Sequence, residues 1–470
     1  MFLVESSQGK LGTVKPRATA KAENANKQTH SLPNISLKTM FAITFGFCGV
    51  NMAFSLQTSQ MSRIFQTIGA DPTKLGYFFI FPPLIGMIVQ PILGKFSDGF
   101  WSPRFGRRMP ILMWAAPLAA IVLVLLPNAG SFGFGFGSLA ALMFGSVAII
   151  LMDLSNNACM QPFRMIIGDM VNENQKDQAW SWQQAFSNVG GVLANLCPFF
   201  LTWIGVANIA KRGVVPLSVR LSFYIAAIVL LATSIYTIVS VKEYDPITYA
   251  QYHNFDPNEK KKKKSYWTLI KEAPKTFWEV ALIQFFAYFG IQYLWTYTTG
   301  AIAQNVWHTS NATSAGFQSA GNWYGVLTFV QSIVGILYGF LVLSRTSQYK
   351  RKFWYRIGLA SGGLGMIWTA FTHNQYMLIA AFVLIGICFL TMHTEPFAIF
   401  TTSTDGANDG AYIGLFNVFI CLPQIVASVS SFVIFPMVGD SMPTMIVIGG
   451  VSWLIGAALM DIIKVEKKTA

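Results

Sequence analysis

The sequence predicts an all-α membrane protein in which twelve transmembrane helices form two six-helix bundles. Apolar runs long enough to span a bilayer recur about twelve times in the 470 residues, and a long charged segment separates the first six from the last six. Only 11% of the residues are charged, whereas a soluble domain averages about a quarter. This density of apolar runs excludes a soluble enzyme. The runs are centred near Phe47, Ile85, Leu118, Ile149, Val192, Ala227, Phe289, Val330, Gly362, Ala381, Val426 and Val451.

Lysine and arginine predict the orientation of these helices. If the N-terminal tail is cytoplasmic, the connections on that side and the two tails hold about 28 of the basic residues, and the opposite side holds about five. The positive-inside rule therefore predicts a multi-pass protein of the plasma (inner) membrane with both termini in the cytoplasm. The same asymmetry explains the net charge of +13 without a nucleic-acid partner. The five basic residues of the opposite side are Arg63, Lys74, Lys211, Arg212 and Arg220.

A change in composition between the sixth and seventh runs predicts a linker. This segment contains the Lys260–Lys264 run, which is typical of a solvated connection, and the first 35 or so residues are polar and have no signal peptide. We therefore predict five regions: a disordered cytoplasmic tail 1–36, a bundle 37–241, a cytoplasmic linker 242–275, a bundle 276–464 and a cytoplasmic tail 465–470.

An internal repeat supports the division into two halves. Gln161-Pro-Phe-Arg in the fourth predicted helix is echoed by Glu395-Pro-Phe-Ala in the tenth, and an aspartate follows each motif, at Asp169 and Asp405. Because six is an even number of helices, both halves share one orientation in the membrane. Such a parallel repeat about an axis along the membrane normal is typical of major facilitator transporters.

The fourth predicted helix contains polar residues at helical spacing. Asp153, Asn157, Gln161 and Arg164 are separated by steps of four, four and three, which places them on one face over about 16 Å. Ionisable groups inside a membrane cost several kcal/mol unless they face partners or water. We therefore predict that this helix lines a hydrophilic cavity, and that the protein moves a polar solute across a membrane.

Four blocks of sequence resemble the sucrose/H⁺ symporters of the major facilitator superfamily, relatives of the glycoside–pentoside–hexuronide:cation group. Gly94–Arg108 resembles the signature G-x-x-x-D-x-x-x-x-R-x-G-R-R, and the resemblance extends from about Asn51 to about Met460. It implies a proton-driven symporter for a disaccharide or α-glucoside such as sucrose or maltose. The other blocks are Val89–Leu112, Asp153–Asp169 and Gly414–Ser428.

The resemblance also implies roles for charged residues. It gives the proton to Asp153 and makes Arg164 the helix-four arginine of the family. The chain departs from the family pattern at Thr296–Gly300 and at His393 and Glu395. A charge relay on the cytoplasmic side is expected from Asp98, Arg104, Arg107, Arg108 and Asp169.

Two partners remain open for Arg164. The repeat places Glu395 one turn from the depth of Arg164, so the two could close the cytoplasmic side in the outward-open state. Alternatively, Arg164 could bond permanently to Asp169 or Glu173 within its own half. For His393, proton release beside Glu395, a sugar contact and a packed neutral imidazole are all possible.

Many amides and aromatics lie on the helices predicted to form the cavity. Amides bond to sugar hydroxyls and aromatic faces pack against sugar rings, although membrane amides also join helices to one another. Their number favours a polyhydroxyl ligand. The predicted substrate-binding residues are Asn51, Gln57, Gln60, Asn157, Gln161, Gln184, Asn188, Tyr288, Gln292, Trp295, Asn322, Trp323, His393 and Asn417.

Other functions lack motifs. There is no nucleotide-binding loop and no metal-ligand spacing among the five cysteines, so we expect neither an enzyme nor a cofactor. The expected partners are a sugar, a proton and the lipid bilayer, and we expect a monomer. The alternatives are a Na⁺-coupled glycoside symporter and a non-transporting membrane sugar sensor.

Overall fold

Twelve long helices make up most of the computed structural model, which describes residues 32–99, 101–252, 266–345, 350–401 and 409–463. No β-strand forms among these residues, so the all-α prediction is confirmed. The predicted N-terminal tail up to residue 31, the Lys260–Lys264 run and Asp405 lie outside the described residues. The helices are α1 (Leu37–Thr67), α2 (Leu75–Gly99), α3 (Met109–Leu125), α4 (Leu139–Met170), α5 (Glu173–Trp203), α6 (Leu217–Ser240), α7 (Lys275–Val306), α8 (Ala315–Leu341), α9 (Arg351–Phe371), α10 (Met377–Thr401), α11 (Asp409–Met437) and α12 (Met442–Ala458).

Ten of these helices are long and apolar enough to cross a membrane by length and composition. The two others are α7 and α9, which carry more polar residues; α9, for example, begins with Arg351 and Lys352. Between the sixth and seventh helices the chain forms two short helices, Pro246–Tyr252 and Tyr266–Glu272. The predicted boundaries of the five regions stay a prediction.

Side-chain caps fix where several helices begin. The first N–H groups of a helix have no partner within it, and a short polar side chain placed just before the helix can accept from them. The side chains of Ser36, Ser138, Asn172, Ser314 and Ser441 do this for α1, α4, α5, α8 and α12. These caps explain why long apolar sequences begin as helices at defined residues.

The chain has two faces that are defined by its connections. We call "linker face" the face that carries loop 101–108 and the segment that follows α6, and "opposite face" the face that carries loops 68–74, 126–138, 204–216 and 307–314. The first six helices form the N half and the last six form the C half. Arg63 lies inside α1, whereas the charge pattern placed it in a connection.

The two halves approach each other most closely where glycine removes a side chain. A Cβ atom at Gly76 of α2 would overlap the Ser431 hydroxyl of α11, and one at Gly325 of α8 would overlap the backbone oxygen of Asn195 of α5. Small residues allow such backbone contact in membrane helices. Two of the helix pairs that join the N half to the C half, α2 with α11 and α5 with α8, therefore pack with their backbones in close contact.

Candidate functional site

A cavity of about 620 Å³ lies between the two halves. The N half contributes α1, α2, α4 and α5 to its wall, and the C half contributes α7, α10 and α11. Of the predicted site residues, ten line it: Gln57, Asp153, Asn157, Arg164, Gln184, Tyr288, Gln292, Trp295, His393 and Asn417.

Asp153 is the carboxylate of this wall among the described residues, and it is only 1% exposed. Its Oδ1 accepts a hydrogen bond from Nε2 of Gln57 at 2.7 Å, which joins α4 to α1. The Oε1 of Gln57 in turn accepts from Nδ2 of Asn156 at 3.0 Å. The Oδ2 of Asp153 has no hydrogen-bond partner in the described protein. Asp153 therefore faces the cavity, not lipid, and its bonded neighbour is a neutral amide.

The C half offers aromatic and amide groups across the cavity from Asp153. The His393 ring lies against the Phe389 ring with centroids 4.5 Å apart and a tilt of 35°, and edge-on to the Tyr288 ring at 5.7 Å. Its Nδ1 is 2.7 Å from the backbone oxygen of Phe389, four residues earlier. If Nδ1–H donates to that oxygen, Nε2 is left to accept a hydrogen bond from a ligand. Trp295 and Asn417 line the same wall.

Hydrogen bonds between the halves cluster toward the opposite face. Oγ of Ser62 donates to the Thr296 oxygen at 2.6 Å, and Nε2 of Gln292 donates to the Phe79 oxygen at 2.9 Å. At the other end of the cavity, Arg164 and Gln184 remain exposed on helices that end or begin at the linker face. The described residues therefore close the cavity at the opposite face and leave it open toward the linker face.

Arg164 and Glu395 are apart in this conformation. Arg164 lines the central cavity and makes no hydrogen bond or ion pair in the described part of the chain. Glu395 lines a second cavity of about 320 Å³ within the C half, together with Arg351. The Oε2 of Glu395 is buried without a hydrogen-bond partner among the described residues. Of the two alternative partners of Arg164, Asp169 is paired with Arg108, and the side chain of Glu173 is outside the described residues.

Most residues of the expected charge relay come together at the linker face. Nε of Arg108 lies 2.7 Å from Oδ2 of Asp169, and Tyr249 donates to the other Asp169 oxygen at 3.2 Å. The Arg107 guanidinium lies over the Tyr249 ring at 4.3 Å. Arg104 lies instead over Phe105, at 5.2 Å, and the side chain of Asp98 is outside the described residues.

Glu243 completes this cluster, and the sequence analysis missed it. Its carboxylate accepts from the backbone N–H groups of Arg107, Arg108 and Met109 at 2.9 to 3.1 Å, so it caps the start of α3. Gly106 has a φ of +78°, and a Cβ there would lie 2.7 Å from the Glu243 side chain. Desolvation by burial raises the pKa of Glu243, against the lowering effect of these N–H donors. An acidic residue just after the last apolar helix of the N half was the available signal.

Several predicted substrate ligands do not line the cavity. Asn51 donates to the Ser187 oxygen at 2.6 Å and thereby joins α1 to α5. Trp323 donates to the Gln375 oxygen at 2.9 Å near the opposite face. Both residues therefore bond to the protein backbone in place of contacting the cavity. The others outside the cavity are Gln60 and Asn322, which contact Arg63, Asn188, which accepts from Gln184, and Gln161.

The cavity wall also contains residues that the sequence analysis did not select. On α2, Phe79, Pro82, Pro83 and Gly86 recur at helical spacing and form one face, which could have been recognised. A Cβ at Gly86 would meet nothing within 4 Å, so this position opens onto the cavity. The remaining ones are Phe54, Thr58, Met61, Met160, Phe397, Ile420 and Cys421, with Phe389 described above. Gln424 of α11, an amide at helical spacing from Asn417, also lines the wall.

Two bundles around a central cavity that is lined by both polar and apolar side chains and open at one face define a membrane transporter, not an enzyme. The family model of the Major Facilitator Superfamily matches residues 17–428, and the chain belongs to this family.

The comparisons with individual proteins agree with the family. The chain is 21% identical over 437 residues to a sucrose transport protein (SUC4) of Arabidopsis thaliana, covering 84% of each chain. It is 26% identical over 272 residues to the general alpha-glucoside permease of Schizosaccharomyces pombe, covering 55% of this chain and 47% of that one.

Solved structures share the fold. The nucleoside transporter NupG has a TM-score of 0.65 at 12% identity, over 92% of this chain and 100% of NupG. A bacterial homolog to the human lysosomal transporter Spinster has a TM-score of 0.64 at 16% identity, over 90% of this chain and 96% of that one.

Proposed function

We propose that this protein is a proton-coupled symporter that imports a disaccharide or α-glucoside across the plasma membrane by alternating access. The observation that carries the proposal is the carboxylate of Asp153, which faces the cavity with one oxygen unpartnered among the described residues. A group in this position can exchange a proton with the cavity. The sucrose and α-glucoside relatives support the choice of substrate.

The cavity suits a sugar of two rings. Its volume of about 620 Å³ is within the range of about 300–1,000 Å³ typical of small-molecule sites. Asn157 and Gln184 of the N half, with Gln292 and Asn417 of the C half, supply hydrogen-bonding groups for hydroxyls. Trp295 supplies an aromatic face for a sugar ring.

The proposed cycle begins from the opposite face, which the positive-inside rule assigns to the exterior. Protonated Asp153 permits sugar to bind from that side, and rocking of the halves then opens the linker face, as in this structure. Release of the proton to the cytoplasm follows release of the sugar. In the outward-open state, Arg164 and Glu395 approach and close the linker face. The monomer, with its linker and both tails in the cytoplasm, is the functional unit.

Na⁺ coupling is the second candidate, and one observation weighs against it. Hard cations take several oxygen ligands, often from more than one carboxylate. Among the described residues Asp153 is the carboxylate that lines the central cavity. A protonatable group matches that arrangement better than a Na⁺ cage.

The test is uptake by proteoliposomes that contain the purified protein. Radiolabelled sucrose, maltose, trehalose, melibiose and lactose are supplied one at a time, with an imposed pH gradient, an imposed Na⁺ gradient or neither. We expect one or more α-glucosides to accumulate under the inward pH gradient alone. Accumulation driven by Na⁺ would favour the second candidate, and no uptake of any of these sugars would reject the proposed substrate class.

A further inference from the structure

Arg63 is a fully buried cation at the closed end of the cavity. It lies in the last turns of α1 with 0% of its surface exposed. Its Nε donates to Oε1 of Gln318 at 2.8 Å, and its Nη1 donates to Oδ1 of Asn322 at 2.8 Å. It also donates to Gln60 at 3.2 Å and to Asn208 at 2.8 Å. All four partners are neutral amide oxygens.

These contacts cross between the halves. Arg63, Gln60 and Asn208 belong to the N half, whereas Gln318 and Asn322 lie one turn apart on α8 of the C half. The same two amides bond back to the N half: Gln318 donates to Thr67 at 2.9 Å, and Asn322 donates to Thr202 at 2.8 Å. The guanidinium therefore lies at the centre of a polar connection between α1, α5 and α8.

Gly321 makes room for the guanidinium on α8. It lies between the two amide residues, and a Cβ there would be 2.5 Å from Cδ and 2.7 Å from Nε of Arg63. Gln318, Gly321 and Asn322 thus form a notch in the C half that receives one side chain of the N half. A guanidinium with its planar fork of donors suits such a notch.

The lack of a carboxylate among these partners determines how firmly the contact holds. A buried charge is costly unless it is hydrogen-bonded, and breaking a buried ion pair leaves two charges without a partner. Here separation of the halves leaves one cation and two neutral amides, and water entering the opened face can solvate all three. The hydrogen bonds of Arg63 can therefore hold α8 against α1, and breaking them does not leave two buried charges without partners.

We propose that Arg63 is the latch of the opposite face: it holds α1 against α8 while the cavity opens at the linker face, and it leaves the α8 notch when the opposite face opens. The inference rests on the proposed function only in taking the protein to be an alternating-access carrier. The rival is a structural role inside the N half, through Gln60 and Asn208 alone. The two differ in whether the α8 notch matters.

The experiment measures distances between spin labels on both faces of the purified protein, without sugar and without a gradient. One pair replaces the exposed residues Ile209 and Met377 by cysteine near the opposite face, and the other replaces Gln178 and Phe353 near the linker face. Signal from native cysteines is subtracted with the same chain lacking the introduced pair. Each pair is measured in the parent, in Arg63→Gln and in Gly321→Val.

We expect both variants to raise the ratio of opposite-face-open to opposite-face-closed molecules on the order of tenfold. Arg63→Gln removes the charged donor, and the side chain added in Gly321→Val displaces the guanidinium from its hydrogen bonds on α8. The opposite-face distance lengthens and the linker-face distance shortens in the same samples. Arg63→Lys, with a compact ammonium, gives a smaller shift. Arg212→Gln is the matched control, since Arg212 lies over Phe136 at 4.3 Å within the N half, and it leaves both distances unchanged.

Two results would overturn the latch. Distances in Gly321→Val that match the parent would show that the α8 notch is irrelevant, even if Arg63→Gln does not fold. A longer opposite-face distance with an unchanged linker-face distance would indicate local loosening without alternation. Neither result depends on which solute is carried, so a wrong substrate class in the uptake assay leaves this test intact.

Discussion

Gln57 donates its amide N–H to Oδ1 of Asp153 at 2.7 Å, and this bond fastens the carboxylate of α4 to α1 within one half of the molecule. The amide is itself held by Asn156, so the donor has a fixed orientation. One oxygen of the carboxylate is thus bonded to the protein, and the other is buried without a hydrogen-bond partner among the described residues. This arrangement makes Asp153 the first residue to test.

Asp153→Asn should abolish uphill accumulation of sugar while sugar exchange at equilibrium survives. An amide keeps the size and part of the bonding of the carboxyl group but cannot exchange a proton in this pH range. The measurement compares pH-gradient-driven uptake with counterflow in the same proteoliposomes. The double variant Asp153→Asn with Asn157→Asp moves the carboxyl group by one helical turn, and we expect that it does not restore uphill accumulation. Unchanged accumulation in Asp153→Asn would remove the proton role.

Trp295→Ala should weaken sugar binding about tenfold, because it removes the large apolar surface against which a sugar ring packs. Trp323→Ala is the matched control, since Trp323 contacts the Gln375 backbone and the Tyr376 ring away from the cavity. Binding of radiolabelled sugar, a readout that does not depend on tryptophan fluorescence, gives both dissociation constants. Equal losses in the two variants would contradict the position assigned to the sugar.

Arg164→Cys and Glu395→Cys in one chain should form a crosslink whose yield depends on sugar and pH. The two residues line different cavities in the linker-face-open structure, so they can meet only in another conformation. Arg351→Cys with Glu395→Cys is the reference pair, because both residues line the second cavity and should crosslink under every condition. If the Arg164–Glu395 yield ignores sugar and pH, the linker-face gate is wrong.

Glu243→Gln should change how stability depends on pH. Burial raises the pKa of Glu243 above its value in the unfolded chain, so its contribution to stability is greatest below the unfolded pKa and declines as pH rises through the folded one. The parent should therefore lose stability relative to Glu243→Gln between acid and neutral pH. Thermal unfolding in detergent, followed at several pH values, measures the difference, and parallel curves for the two proteins would refute it.

The general architecture was predictable because it depends on composition and period. Apolar runs of membrane length predict helices that cross the bilayer. Of the four polar residues predicted on one face of α4, Asp153, Asn157 and Arg164 line the cavity, whereas Gln161 does not. The spacing of residues in the sequence shows which of them share a face of a helix, but it does not show which other helix or cavity that face contacts. For that reason Asn51, which bonds to α5, and Trp323, which bonds to the connection before α10, could not be distinguished from cavity residues.

Charged residues near helix ends were the other source of error. Arg63 was counted with the loops because sequence gives a boundary only to within a few residues, and one turn separates a solvated arginine from one buried against α8. Glu243 was passed over because its partners, the N–H groups that begin α3, are about 135 residues away in the chain. Contacts of this kind depend on how helices are arranged in space.

Asp153 and Trp295 line one cavity, and the first belongs to the N half whereas the second belongs to the C half. If the halves rock as proposed, a solute long enough to contact the cavity walls of both halves at once holds the two halves together. A single hexose is short enough to bind to one wall without contacting the other, so it would occupy the cavity without being transported. The length of a solute, more than the position of any one hydroxyl group, would then distinguish transported substrates from competitive inhibitors.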